Sequence, residues 1–290
     1  MWNAQGLLKR PLRLAADRLR ALWHAKPRDW EEMTFSQKIQ WQCRHPDPKV
    51  DYASWVDKYR AKALVEGIFP VPPTYAIVRN SQEIAALTLP DTFVMKATHG
   101  WNMSLLVENG TVRGGNRSAK EAGRRSDPAY LRDVATGWMN SRKEERRRKA
   151  ERHYRYVGFG VMFEAYIRPV DYEVQLFLFT GRFRLALVFF RAFFFENVTY
   201  QVYDEDWVLR ESSSCQSGEP SSPDIEVPRL PASLFEALER LCRHIDHVRV
   251  DLMVSGGRYY FSEFTFTHNG QGGPGIIERF DAQLGRYWPR

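Results

Sequence analysis

Runs of apolar residues at two different spacings divide the chain into predicted helices and strands. In the C-terminal half these runs alternate with polar residues or are continuous, which predicts strands at 157–167, 172–179, 183–190 and 193–203 and a hairpin at 248–267. Thr180-Gly181 is typical of a tight turn between two of these strands. The second half of the chain is therefore expected to be rich in β-sheet.

The first half mixes helical and extended patterns. Apolar positions three and four residues apart predict helices at 12–26, 36–44, 51–66, 81–87 and 128–150, and a later helix at 231–245. Short apolar runs predict strands at 74–78, 92–97 and 105–107, whereas 114–126 and 211–229 have the composition of loops. Helices placed before and between the strands indicate an α+β fold.

Positive charge is concentrated in two segments. The chain has 290 residues and a net charge of +7, but the basic residues cluster in 1–28 and 142–155, and the remainder is net negative. The predicted helix at 12–26 lies either on an anionic membrane surface or on the protein itself. Residues 142–155 form either a solvated surface or a face that binds a polyanion. The net-negative remainder argues against nucleic-acid binding.

Several protein classes are disfavoured by missing motifs. The three cysteines, Cys43, Cys215 and Cys242, are unclustered, which argues against a zinc site or a disulfide framework and favours a reducing cytoplasm. No apolar run reaches 18 residues, and the N-terminus lacks the apolar core of a signal peptide. HExxH, GxSxG and GxxxxGK[ST] motifs are absent, which argues against zinc proteases, serine hydrolases and P-loop proteins.

Two carboxylates mark the predicted hairpin near the C-terminus. Strands 248–252 and 259–267 each carry one, and the hairpin places Asp251 beside Glu263. Two like charges on neighbouring strands are unfavourable unless a cation lies between them. Mg²⁺ prefers oxygen ligands and usually also binds a substrate phosphate. The hairpin therefore makes phosphate chemistry the first hypothesis.

Two basic residues adjoin apolar strands. Lys96 ends a strand just before the glycine-containing turn 99–104, so it either reaches a phosphate under that turn or caps a hairpin edge. Arg191 lies inside an apolar run and needs an anionic partner, which is either a structural carboxylate or a phosphate.

The order of these residues resembles a known family. The ordered segments are Asp57-Lys58-Tyr59, Phe93 to Gly100, Phe163 to Ile167, Asp171-Tyr172-Glu173, Arg191, Tyr203 to Trp207, Val248 to Leu252 and Glu263 to Thr267. From about residue 35 to residue 285 the chain resembles the TupA-like branch of the ATP-grasp superfamily, named for teichuronopeptide biosynthesis. The resemblance implies the ATP-grasp fold, in which two α+β lobes clasp ATP with Mg²⁺.

The resemblance also implies roles for the matching residues. Lys96 would contact ATP phosphates, Arg191 would stabilise the transferring phosphate, and Asp251 and Glu263 would hold Mg²⁺. The flap over the phosphates would contribute His99, Gly100, Asn102 and Ser104. The adenine-contacting hinge would consist of Glu164, Ala165, Tyr166 and Ile167. Asp171 or Glu173 would lie near the ribose or the metal.

The chain departs from the superfamily pattern at two positions. The usual Glu-x-Asn is replaced here by Glu263-Phe264-Thr265, so the ligand set would be completed by Thr265, by Asn269 or by water. Trp101 stands in the flap where a smaller residue would be expected, which affects how the flap closes.

The function implied by the resemblance is an ATP-dependent carboxylate–amine ligase acting through an acylphosphate. The expected substrates are a uronic-acid sugar of a surface polysaccharide or its precursor and the amine of an amino acid. The alternatives are a sugar or glycan kinase on the same fold and, from another class, a basic nucleic-acid-binding module. We expect a basic helical extension at 1–50 and two lobes at 51–150 and 151–290. The expected location is the cytoplasm. The basic segments either face solvent or contact the inner membrane face or an anionic glycan.

Overall fold

The computed structural model describes residues 25–115, 122–190, 198–214, 226–270 and 273–290. The α-helices are α1 Phe35–Arg44, α2 Tyr52–Trp55, α3 Ala61–Leu64, α4 Pro128–Met139, α5 Arg142–Ala150, α6 Ala232–Cys242 and α7 Asp281–Tyr287. Short 3₁₀ helices lie at Trp30–Glu32, Ser81–Ala86, Arg152–Tyr156 and Gly275–Phe280. The strands are β1 Thr74–Val78, β2 Phe93–Ala97, β3 Ser104–Glu108, β4 Thr111–Gly115, β5 Val161–Glu164, β6 Tyr172–Phe179, β7 Arg182–Phe190, β8 Thr199–Asp204, β9 Leu209–Ser214, β10 His247–Ser255 and β11 Arg258–Thr265.

The strands form two antiparallel sheets. The first has the order β1-β5-β2-β3-β4 and the second β11-β10-β6-β7-β8-β9. Residues 165–171 connect β5 of the first sheet to β6 of the second, so Ala165, Tyr166 and Ile167 of the predicted hinge lie in this connection and Glu164 ends β5. The first sheet is covered by α4, whose Leu131, Ala135 and Trp138 pack with Met95 and Phe163.

The second sheet is covered on both faces, which explains its nearly continuous apolar strands. Val174, Leu176 and Leu178 of β6 share a cluster with residues of α6 and of the 52–69 region. Phe177 and Phe179, which alternate with them, pack against the other group, formed by Trp30, α1 and α7. Burial of both faces in this way lets one short strand hold core residues at successive positions.

Two predicted helices are interrupted at polar side chains. The segment 51–66 forms the short helices α2 and α3, and in the turn between them the Asp57 carboxylate accepts hydrogen bonds from the backbone N–H groups of Tyr59 and Arg60. The segment 128–150 divides into α4 and α5, where the Ser141 side chain caps α5 by accepting from the N–H of Glu144. The Ser141 bond satisfies a helix-end donor and starts α5, whereas the Asp57 bonds stabilise a turn before α3.

Other differences lie at strand boundaries. The strand predicted at 157–167 is limited to Val161–Glu164, and the 114–126 and 211–229 loops begin with the ends of β4 and β9. Helices 36–44 and 231–245 and the strands at 74–78, 92–97, 105–107 and 172–179 are confirmed within a few residues. Most of the helix predicted at 12–26, and residues 193–197 of another predicted strand, lie outside the described residues. The lobe boundary at 150 stays a prediction.

Gly181 lies in the turn between β6 and β7, and the backbone of Glu239 and Arg243 occupies the space where a Cβ would be. Its φ is +82°, and an added Cβ would lie 2.6 Å from the carbonyl oxygen of Glu239. Gly181→Ala should lower the free energy of unfolding by about 2 kcal/mol or more, measured by urea denaturation. Gly110→Ala is the matched control, because Gly110 has a φ of +69° with no atom within 4 Å of an added Cβ. If both variants lost the same free energy of unfolding, the close contact with Glu239 would not be the cause of the effect at Gly181.

Candidate active site

A cavity of about 420 Å³ lies between the two sheets. Its size is within the range typical of small-molecule sites. Its lining includes Lys58, Lys96, the flap residues Gly100 to Ser104, Glu173, Gln175, Phe189, Arg249, Asp251, Met253, Ser262, Glu263, His268, Asn269 and Ile276. Both sheets and the flap therefore contribute to one site.

The two hairpin carboxylates lie side by side as predicted. Asp251 on β10 is the register partner of Glu263 on β11. Arg249 makes a two-pronged contact with Asp251, Nε to Oδ1 and Nη2 to Oδ2, each at 2.7 Å. Lys58 Nζ lies 2.6 Å from Glu263 Oε2. Each carboxylate thus has its own cationic partner within the protein.

Arg249 is held by more than Asp251. Its Nη2 also donates to Thr265 Oγ1 at 3.1 Å, and its Nη1 lies 2.7 Å from His268 Nδ1. Burial and the neighbouring Arg249 hold the pKa of His268 well below its usual value, so the imidazole is neutral and accepts that hydrogen bond. A guanidinium has five N–H donors, and four are used in these contacts. Arg249 is thus fixed by Asp251, Thr265 and His268.

The pKa values of the two carboxylates are shifted in opposite directions. Burial raises the pKa of Asp251 to about 6 against the pull of Arg249, and the like charges of Glu263 and Glu173 contribute to the rise. Burial also disfavours the ionised form of Glu263, but Lys58 and Arg249 outweigh it and hold the pKa of Glu263 below its usual range. At neutral pH both carboxylates are therefore available as anionic oxygen ligands.

Lys96 shares a buried carboxylate with a second lysine. Its Nζ lies 2.6 Å from Oε1 of Glu164, and Lys62 Nζ lies 2.7 Å from Oε2. Glu164 is 2% exposed, and its pKa is held below the usual range because the two lysine charges outweigh the effect of burial. Lys96 lines the cavity, whereas Lys62 does not. Glu164 therefore positions a cavity lysine instead of lining the cavity itself.

The flap begins at a buried histidine. His99 is 1% exposed, its Nδ1 accepts from the N–H of Gly160 at 3.3 Å, and its carbonyl accepts from Arg147 of α5. Burial, aided by Arg148 and Lys58, lowers the pKa of His99 to about 4. His99 is thus a neutral anchor under the flap, while Trp101 is 60% exposed.

The cavity gathers about half of the residues singled out from the sequence. Those on its lining are Lys96, Gly100, Asn102, Ser104, Glu173, Asp251, Glu263 and Asn269. Those outside the lining are His99, Glu164, Ala165, Tyr166, Ile167, Asp171 and Thr265. Arg191 lies outside the described residues.

Local contacts explain two of these placements. Of the alternatives Asp171 and Glu173, only Glu173 reaches the cavity, because the Asp171 carboxylate accepts from the N–H of Gly256 and caps the turn of the hairpin. Of Thr265 and Asn269, only Asn269 reaches it, since Thr265 supports Arg249.

Among the charged residues of the described lining, Lys58 and Arg249 are the two to which the sequence assigned no role. Arg249 could have been found, because residues two apart in a strand share a face and Arg249 precedes Asp251 by two. Lys58 belongs to the Asp57-Lys58-Tyr59 segment, but only the fold brings that segment to the hairpin.

The described lining fits Mg²⁺ bound together with a nucleotide. Three cationic side chains (Lys58, Lys96, Arg249) face three anionic ones (Glu173, Asp251, Glu263), so they leave no net positive charge for a triphosphate. A nucleotide must therefore bring metal cations with it, and two neighbouring carboxylates are the usual number that Mg²⁺ takes from a protein in such sites. Among the described residues there is no cluster of three or more His, Cys, Asp or Glu that could hold a metal alone.

Comparison with protein families decides the assignment. A model described as TupA-like ATP-grasp matches residues 37–288. The chain belongs to this TupA-like ATP-grasp family. Membership confirms the ATP-grasp α+β fold and makes ATP and Mg²⁺ the cofactors of this family member. No curated protein matches the chain.

The solved structures that the comparison found are distant from this family member. The macrocyclase MdnC from Microcystis aeruginosa, bound with precursor peptide MdnA, is 12% identical with a TM-score of 0.46, and the match covers 99% of this chain and 71% of that one. D-cycloserine synthetase DcsG is 15% identical with a TM-score of 0.44, covering 91% and 86%. This chain spans only 59% of the length of the ATP-grasp ligase PsnB and 59% of the length of D-alanine–D-alanine ligase from Helicobacter pylori.

No described helix of this chain is both long enough and apolar enough to span a membrane.

Proposed function

We propose that this protein is an ATP- and Mg²⁺-dependent carboxylate–amine ligase. The observation that carries the proposal is the pairing of Asp251 with Glu263 in a cavity that also holds Lys96 and the flap. Oxygen ligands for Mg²⁺ then lie in the same cavity as a lysine suited to bind phosphates. The family supports this class of enzyme.

Each charged residue of the cavity has a task in this proposal. Lys96 contacts the phosphates, and Asp251 and Glu263 hold Mg²⁺, which supplies charge neutralisation at the phosphates when bound. Arg249 keeps Asp251 oriented through its two-pronged contact and, as a cation on the cavity lining, stabilises charge on the transferring phosphate. The same role for Arg191 stays a prediction.

The reaction proceeds in two steps. A carboxylate oxygen of the first substrate attacks the γ-phosphorus, and the bond from that phosphorus to the β,γ-bridging oxygen breaks. ADP is the leaving group, and the substrate carboxylate becomes an acylphosphate. An amine then attacks the acyl carbon, expels phosphate and loses a proton, which gives the amide. The cavity residues orient and stabilise charge, and no nucleophilic side chain of the protein is required.

The finer proposal is that the carboxylate belongs to a uronic-acid sugar of a surface polysaccharide or its precursor and the amine to an amino acid. The basic helix α5 supports an anionic substrate only in part. Arg147 and Arg148 are used internally, bound to the carbonyls of His99 and Val157, whereas Arg146 and Lys149 are exposed. Contact of the basic segments with a glycan or the inner membrane face, and a cytoplasmic location, are parts of the same proposal.

The test is a product analysis with purified protein, Mg²⁺-ATP and a panel of uronic acids and amino acids. A ligase releases ADP and phosphate in equal amounts and yields a product with the mass of the amide. A product that keeps the phosphate would instead show a kinase. Salt-dependent DNA binding that survives both Asp251→Asn and Glu263→Gln would indicate a nucleic-acid-binding module.

A further inference from the structure

Lys58 connects two parts of the cavity that are distant in sequence. Its Nζ contacts Oε2 of Glu263 at 2.6 Å and donates to the carbonyl of Gly100, at the base of the flap, at 3.0 Å. Its backbone N–H donates to the carbonyl of Thr98 at 3.0 Å. One side chain thus joins the flap to the carboxylate hairpin.

The two hairpin carboxylates have cationic partners of different kinds. Arg249 is fixed on Asp251 by two hydrogen bonds and is held in addition by Thr265 and His268. The ammonium group of Lys58 has a flexible stem and three rotatable donors, so it can change partners without moving the backbone. Arg249 is therefore the more firmly fixed of the two cations, whereas Lys58 has the freedom to change partners.

A metal at Glu263 would compete with Lys58. A carboxylate oxygen binds Mg²⁺ at about 2.0–2.1 Å, which would put two cations on one carboxylate. The side chains of Lys58 and Glu263 are only 20% and 25% exposed, so water screens their electrostatic interactions incompletely. Phosphate oxygens in the same cavity would give Lys58 an alternative anionic partner.

We propose that Lys58 is a resident counter-ion that occupies the metal's place at Glu263 and ties the flap to the hairpin until metal and nucleotide enter. The inference rests on the proposed function, since it takes this cavity as the Mg²⁺-ATP site. On binding, Lys58 leaves Glu263 for phosphate oxygens, and the link between flap and hairpin opens. It follows that the protein without nucleotide binds divalent metal weakly.

Binding of Mn²⁺ to the nucleotide-free protein, followed by electron paramagnetic resonance, tests this competition. Lys58→Met should bind Mn²⁺ about tenfold or more tightly than the wild type, because the competing cation is gone. Lys58→Arg keeps the charge and should bind as weakly as the wild type. Lys26→Met is the matched control, since Lys26 forms an equally short 2.6 Å pair with Asp246 outside the cavity lining. Unchanged Mn²⁺ affinity in Lys58→Met would overturn the proposal.

A measurement on the wild type does not depend on the folding of any variant. Acylation of lysine side chains, read by mass spectrometry, should increase at least about threefold at Lys58 when saturating Mn²⁺ frees it from Glu263. Labelling of Lys26 is the internal reference and should not change. Equal labelling of Lys58 with and without Mn²⁺ would contradict the exchange. Neither experiment needs turnover, so failure to form an amide would refute the proposed reaction while leaving the counter-ion result intact.

Discussion

Asp251→Asn is expected to reduce Mg²⁺-ATP-dependent turnover by on the order of 10³-fold while leaving the fold unchanged. Asn has nearly the shape of Asp and can still accept a hydrogen bond from Arg249, so the strand pairing of β10 should persist. The charge that holds Mg²⁺ beside Glu263 is lost. Turnover should be measured by ADP release, and folding by circular dichroism and thermal unfolding.

Asp171→Asn is the control for this prediction. Asp171 was an alternative site residue in the sequence, but its carboxylate caps the N–H of Gly256 and lies outside the cavity lining. Its replacement should cost at most about 1 kcal/mol of stability and leave turnover within about threefold of the wild type. Wild-type turnover in Asp251→Asn, or an equal loss in both variants, would refute the metal assignment.

The hairpin shows why one part of the site could be predicted from sequence. A strand, a Ser-Gly-Gly turn and a second strand are local features, and period-two alternation fixes which side chains share a face. Those rules bring Asp251 to within one residue of Glu263. Uninterrupted pairing from Ser255 and Arg258 would place Asp251 opposite Ser262, and a β-bulge between Asp251 and Leu252 shifts the register so that Asp251 pairs with Glu263. The same rules could have identified Arg249.

Residues whose role depends on contacts between distant segments could not be assigned in this way. Lys58 reaches Glu263 across 205 positions of sequence, and Lys62 reaches Glu164 across 102. His99 looks like a flap residue in the sequence, but packing against Phe159 and the bond from Gly160 bury it. No local pattern distinguishes a buried anchor from a ligand contact.

The fold follows the same division. Strand positions and the α+β class follow from apolar spacing, but the helix breaks near Asp57 and Ser141 lie at single side chains that hydrogen-bond to the backbone within segments of good helical pattern. The membership of β5 in the first sheet also depends on long-range pairing, with β1 on one side and β2 on the other.

Lys96→Met is expected to reduce turnover by on the order of 10²-fold or more and to destabilise the protein by about 1–3 kcal/mol. The loss of turnover follows from removing a cationic phosphate contact in the cavity. The loss of stability follows because Glu164, 2% exposed, keeps only one of its two lysine partners.

Lys62→Met separates these two effects. Lys62 contacts the same carboxylate at 2.7 Å, compared with 2.6 Å for Lys96, but does not line the cavity. Lys62→Met should destabilise the protein at least as much, because Lys62 Nζ also donates to the Pro72 carbonyl and to Thr74 Oγ1. It should nevertheless largely retain turnover when both variants are assayed well below their unfolding temperatures. If Lys62→Met lost as much turnover as Lys96→Met, the ion-pair cluster and not the phosphate contact would explain the effect.

The pH dependence of stability provides an independent check on the same cluster. The pKa of Glu164 is held below its unfolded value, so the ion pairs contribute stability above about pH 4.5, and that contribution is lost as the pH falls through the folded-state pKa. Between pH 7 and pH 3, Glu164→Gln should therefore lose less stability than the wild type in urea titrations. Parallel curves for the two proteins would mean that Glu164 is not ionised between its lysines. The contacts at 2.6 and 2.7 Å favour that ionisation, because a neutral carboxyl would leave two half-buried ammonium groups without a counter-charge.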